Sequence, residues 1–163
     1  MNDLSEKILQ WADDKGILAK GTPEGQIAKT LEELIETAQA VALYDNAKKR
    51  NSLVMPKFLS EVKDGIGDVY VTLVIHAKMN GFENVRIASI DELPNKQAFE
   101  QLGKRIIDLI RYRHHVIYAN AFACLDQLAM SHGLTLRECV EHSYQIIASR
   151  TGKMQDGVFV KDN

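Results

Sequence analysis

Apolar residues recur at three- and four-residue spacing along most of the chain, which predicts one helix after another. Leu4, Ile8 and Trp11 keep that spacing over 3–14, and Lys15-Gly16 ends the run. Residues 17–21 read as a connector. Thr22-Pro23-Glu24 then gives an N-cap, a proline at the first helical position and an acid in the first turn. The helix it opens is expected to reach Tyr44, with Ile27, Leu31, Leu34, Ala38 and Val41 as its apolar stripe. Residues 45–51 are polar and basic, as in a loop. A third helix is expected over 56–80, where Phe58, Val62, Ile66, Val69 and Leu73 keep helical spacing. Its β-branched run over 69–75 also fits a buried strand; the spacing favours helix. An irregular stretch over 82–95 precedes a long helix over 96–131. Thr135 caps a last helix to about 149, and 152–163 reads as an extended tail. The expected fold is all-α, a bundle of about five helices with antiparallel core helices.

Composition narrows the function classes. The 163 residues suit one domain over 1–163. The formal charge of −2, from 20 Lys+Arg against 22 Asp+Glu, argues against a dedicated nucleic-acid binder. No apolar run approaches a membrane span, and Met1 to Lys7 does not look like a signal peptide. Cys124 and Cys139 fit neither a disulfide framework nor a zinc pattern. A cytoplasmic domain is expected.

The informative feature is acid placement. Glu32, Glu33 and Glu36 crowd one side of the second predicted helix, and Glu61, Asp64 and Asp68 lie three and four apart in the third. At about 100° per residue such positions share a face, and like charges so placed oppose helix formation by roughly a few tenths of a kcal/mol per pair. Lys57 and Lys63 relieve only part of this. Asp68 directly precedes the apolar run, and a carboxylate at the edge of a buried segment must be neutralised, paired or bound to metal. A hard cation, Mg²⁺ or Mn²⁺, takes oxygen ligands and retains waters for a phosphate-bearing substrate. Antiparallel packing would set Glu33 and Glu36 opposite Asp64 and Asp68. A solvated acidic face is the plainer alternative; two clusters on neighbouring helices, one touching an apolar run, favour the metal.

The acid pattern resembles that of the MazG-like nucleotide pyrophosphohydrolases, an all-α group marked by EExxE followed later by ExxD. Glu32-Glu33-Leu34-Ile35-Glu36 supplies the first half, and Glu61-Val62-Lys63-Asp64-Gly65-Ile66-Gly67-Asp68-Val69 the second. Trp11, Lys15-Gly16-Ile17, Thr22-Pro23, Gln26 and Lys29 are similar to the short, phage-type members. So is the ending from Arg150-Thr151-Gly152-Lys153-Met154 to Gly157-Val158-Phe159-Val160-Lys161. Residues 82–134 depart from that pattern as a helical insertion. Gly65 stands where the group carries a glutamate, so either Asp64 and Asp68 form the second half, or Glu61 and Asp64 do so one turn earlier. Gln145 and Ala148 stand where the group often has Asn and Lys.

The resemblance implies Mg²⁺-dependent hydrolysis of a ribo- or deoxyribonucleoside triphosphate between its α- and β-phosphates, yielding a monophosphate and pyrophosphate. It implies Glu33, Glu36 and Asp68 as core metal ligands, completed by Asp64 or Glu61. Glu32 would act as general base on the attacking water. Lys29 would meet a phosphate as a point charge, Gln26 a base or sugar, and Arg150 and Lys153 the polyphosphate tail. A homodimer or homotetramer in a bacterial or phage-infected cell is also implied.

Several residues carry plainer readings as well. Lys29 fits an ion pair with Glu33 or Glu36, Arg150 and Lys153 fit a helix C-terminus, and Trp11 fits a core position better than a base-stacking platform. His114 and His115, with Arg111-Tyr112-Arg113, form a basic aromatic patch better suited to a solvent- or subunit-facing surface than to a metal or nucleic acid. His76 reads as a core histidine and Cys124 as packing. Gly65 and Gly67 each weaken a helix by about 1 kcal/mol relative to alanine, and point to close approach of neighbouring helices. The rival functional reading is a non-catalytic helical interaction protein with a degenerate acidic site, favoured by Gly65, Gln145 and Ala148.

Overall fold

Two long helices form the centre of the computed structural model, which describes residues 1–155 and 158–162. Helix α3 (Pro23–Lys49) follows α1 (Asn2–Asp14) and the single turn α2 (Ile17–Lys20), and α4 (Met55–Met79) lies against it. Thr22 opens α3 as its sequence implies: its Oγ1 accepts the Gly25 N–H at 3.0 Å. The α3–α4 pair is antiparallel. At one end the Gln26 side-chain amide donates to the Thr72 carbonyl at 3.2 Å. Towards the other end, a Cβ on Gly65 would stand 2.6 Å from Thr37 Oγ1. The run Val69 to Ala77 is helical and buried on every face. A helix enclosed all round loses its polar stripe, which is why this stretch also reads as a strand.

The remaining helices enclose that pair. Helix α7 (Leu136–Ala148) packs on α4, where a Cβ on Gly67 would stand 2.2 Å from Ser143 Oγ and 2.3 Å from the Cys139 carbonyl oxygen. A capping box opens α7: Thr135 Oγ1 accepts the Glu138 N–H while Glu138 accepts the Thr135 N–H. Helices α5 (Asn95–Arg111) and α6 (His115–Ser131) pair with each other, α5 also touching α3 and α6 touching α4. Leu4, Ile8, Val62, Ile66, Leu73, Leu102, Ile106, Leu125, Leu128 and Val140 belong to one apolar core.

The all-α class is as expected, with different boundaries. Seven helices stand among the described residues where about five are expected. The connector over 17–21 contains the turn α2, entered through Gly16 at φ 72°. The loop expected over 45–51 is largely the end of α3, which runs to Lys49 because Ala47 is buried and Lys48 and Lys49 complement the helix C-terminus. Asn51, at φ 47°, turns the chain. The helix expected over 96–131 is broken at 112–114. Tyr112 and His114 are extended, His114 accepts the Val116 N–H at 3.3 Å, and Arg113 leaves the helical path to pair with Glu24.

The expected extended tail is an antiparallel hairpin of β1 (Gly152–Gln155) and β2 (Val158–Lys161), with Gly152 opposite Lys161. Positions 156, 157 and 163 of that tail, Gly157 included, lie outside the described residues. Among the described residues no helix is long and apolar enough to cross a membrane.

Candidate active site

A cavity of about 580 Å³ opens between α3, α4, the ends of α1 and α7, and the hairpin. The antiparallel register brings the two acid clusters level, so Glu32, Glu33, Glu36, Asp64 and Asp68 all line it, together with Gln26, Lys29 and Arg150. Helical spacing alone places the first group on one wall and the second on the facing wall. The two glycines let α3 and α7 come close enough to α4 for those walls to meet.

Asp68 registers the crowding. Burial, followed by the charges of Asp64 and Glu33, pushes its carboxyl up to about 7, with Arg150 and Ser143 pulling the other way. Asp64 Oδ1 is buried without a hydrogen-bond partner among the described residues, and His142 Nε2 lies 3.8 Å from it. Ser143 donates its hydroxyl to the Asp64 carbonyl at 3.1 Å, tying α7 to the acid-bearing turn of α4.

Lys29 neutralises part of the opposite wall. Its Nζ lies 2.9 Å from Glu33 Oε1 and 3.0 Å from Glu32 Oε1. Burial alone would lower the Lys29 pKa, but hydrogen bonds to Glu33 and Glu32 outweigh it and the net shift is upward. The ion-pair reading of Lys29 therefore describes this structure, with Glu32 and Glu33 as partners.

Among the described residues, no three Asp, Glu, His or Cys side chains stand close enough to hold a metal without moving. The donor set nevertheless fits a hard cation. It consists of carboxylate oxygens, one of them orphaned, around an acid whose ionisation is opposed by its neighbours. A divalent ion would relieve both defects.

Two residues from the sequence reading stand apart. Glu61 is not among the described residues lining the cavity; it is partly exposed and lies 3.7 Å from Lys57 Nζ. Lys153 is exposed on β1 and is likewise not among them, whereas its neighbour Met154 is. Alternation along a strand explains the difference. Sequence reasoning missed the hairpin's contribution through Met154, Phe159 and Val160. Trp11 packs against the core, as its spacing implies, and also borders the cavity. An unrecognised pairing of two four-residue strands left no periodic signal for the hairpin. His76 is a core histidine, as its apolar neighbours in sequence imply. It shares a 2.9 Å hydrogen bond with Tyr118 OH, and burial, then Arg113, push its pKa down to about 4.

No protein-family model matches the chain, and no solved structure matches it. It is similar to a protein of Haemophilus phage HP1 described as an uncharacterized 18.2 kDa protein in the rep-hol intergenic region. The two are 33% identical over 85 residues, covering 52% of this chain and 44% of that protein, so the match spans less than half of the relative.

Proposed function

We propose that the chain is a MazG-like nucleotide pyrophosphohydrolase that hydrolyses a ribo- or deoxyribonucleoside triphosphate between its α- and β-phosphates. The observation that carries this reading is the gathering of Glu33, Glu36, Asp64 and Asp68, from two helices, in one cavity that also holds Lys29 and Arg150. Glu33, Glu36, Asp64 and Asp68 would hold Mg²⁺ or Mn²⁺. Such an ion would supply Lewis acidity towards the phosphates and the attacking water.

The chain's own groups have separate tasks. Glu32, the most exposed of the α3 carboxylates paired with Lys29, takes the proton of the attacking water. Lys29 presents an ammonium to a phosphate oxygen, exchanging part of its pairing with Glu32 and Glu33. Arg150 presents a planar guanidinium to the polyphosphate. Gln26 meets the sugar or base. Exposed Ile35, Leu43, Ile107 and Ile110 on α3 and α5 support a homodimer or homotetramer. The similarity to a phage protein supports a setting in the cytoplasm of a bacterial or phage-infected cell.

The residues that favour a non-catalytic protein weigh little against this. Gly65 makes room for Thr37, while Gln145 and Ala148 are exposed. The test is turnover of a nucleotide panel with Mg²⁺ by Glu36→Gln and Asp68→Asn variants. Each is expected to fall on the order of 100-fold or more, as when other electrostatic contacts to a transition state are lost, with unchanged far-ultraviolet circular dichroism. A folded variant as active as the parent would remove that carboxylate from the site.

A further inference from the structure

Outside the acid-lined cavity the fold carries two unlike surfaces, one towards each end of α4, and they complement each other. At one end is the turn between α3 and α4. Asn51 reverses the chain at φ 47°, the Ser52 N–H donates to the Ala47 carbonyl at 3.0 Å, and the Met55 N–H donates to the Ser52 carbonyl at 3.1 Å. This hydrogen-bonded turn holds Leu53 out in water, 98% exposed, with Val54 half exposed beside it. Residues 46–60 contain Lys48, Lys49, Arg50 and Lys57 and no acid. A single surface leucine is ordinary, but one fixed at the apex of a basic turn is a knob ready to be received.

Towards the other end a second cavity, of about 450 Å³, lies between α1, the last turns of α4, α6 and the segment 82–85. Its floor is apolar, with Val74 and Phe122 beneath and the partly buried Leu9 and Phe82 at the sides. Its rim is acidic. Glu6, Asp13 and Glu83 are exposed there, and Lys78, which also lines it, is spent on an ion pair with Glu83. No described residue lines both this cavity and the candidate active site.

We propose that the α3–α4 turn of one copy of this chain docks in the second cavity of another copy, with Leu53 on the apolar floor and Lys49 and Arg50 against Glu6 and Asp13. Charge complementarity selects this occupant, because opposite charges across a contact steer and orient association. A copy cannot fill its own cavity. Helix α4 is continuous and keeps Met55 and Val74 roughly 30 Å apart, at about 1.5 Å per residue. The contact is therefore directional, head to tail, unlike the symmetric association that the exposed apolar residues of α3 and α5 support. Repeated from copy to copy, it gives rings or open filaments. It does not depend on the pyrophosphohydrolase reading.

The experiment is analytical ultracentrifugation of the full chain over a range of concentrations and salt. At low salt the average mass is expected to grow with concentration beyond any symmetric oligomer, and to fall back as salt rises. Leu53→Asp removes the knob, and the double variant Glu6→Lys, Asp13→Lys reverses the rim; all three positions are exposed, so the core is untouched. Each variant alone is expected to weaken the association at least about tenfold. Mixed in equal amounts they are expected to associate again, since the rim-reversed chain keeps its turn and the Leu53→Asp chain keeps its rim. A parent of constant mass, variants that assemble like the parent, or a mixture no better than its components overturns the contact. A parent that stays unassembled and sediments with phosphatidylglycerol vesicles overturns it too, and assigns the turn to a lipid surface.

Discussion

At Gly67 a methyl group would stand 2.2 Å from Ser143 Oγ and 2.3 Å from the Cys139 carbonyl oxygen. Alanine there gains about 1 kcal/mol of helix propensity but forces α4 and α7 apart, and overpacking of this kind costs about 1–3 kcal/mol. Gly67→Ala is therefore expected to destabilise the protein. At Gly103 the nearest outside atom to a new Cβ is Leu34 Cδ2 at 3.8 Å, ordinary contact distance. Gly103→Ala is expected to stabilise by up to about 1 kcal/mol. Urea unfolding of the two variants checks the pair, and stabilisation by both would mean that α7 does not lie so close to α4. The acids were legible from sequence because helical spacing fixes their face whatever surrounds them. Glu61 keeps the same spacing yet stands beside Lys57, since position along the helix, as well as angle, decides which acids reach the facing wall.

Among the elements, α4 joins the site to the core most directly. Its middle turns present Asp64 and Asp68 to the cavity, and the run Val69 to Ala77 is buried all round, with His76 against Tyr118. Burial, then Arg113, hold the His76 pKa down to about 4, below its ordinary value of 6.5. The folded state thus binds fewer protons than the unfolded one between those values. The stability contributed by neutral His76 is complete above about pH 6.5 and is lost as pH falls towards 4. Nuclear magnetic resonance should find the His76 ring titrating near 4, and a midpoint near 6.5 would contradict its burial. The long helices were legible because their apolar stripes recur over many turns. The break between α5 and α6 was not. It depends on Arg113 reaching Glu24, 89 positions away in sequence, and on His114 capping the next helix with its own side chain.

Across the whole molecule, one apolar core holds α1, α4 and α7 in place while the acids of α3 and α4 face one another. Such an arrangement is electrostatically uneasy. Glu33 is matched by Lys29, but Asp64 retains an orphaned oxygen and Asp68 is pushed towards its protonated form. On the proposed function, a divalent cation that brings a triphosphate with it would resolve the conflict. The all-α class followed from pattern alone, whereas the hairpin that closes the cavity came from strands too short to announce themselves. The most direct test is phosphorus magnetic resonance of a nucleoside triphosphate incubated with the purified chain and Mg²⁺. Pyrophosphate and nucleoside monophosphate appearing in equal amounts is the predicted result, abolished by chelation of the metal. Release of orthophosphate, or an unchanged triphosphate with either Mg²⁺ or Mn²⁺, would contradict it.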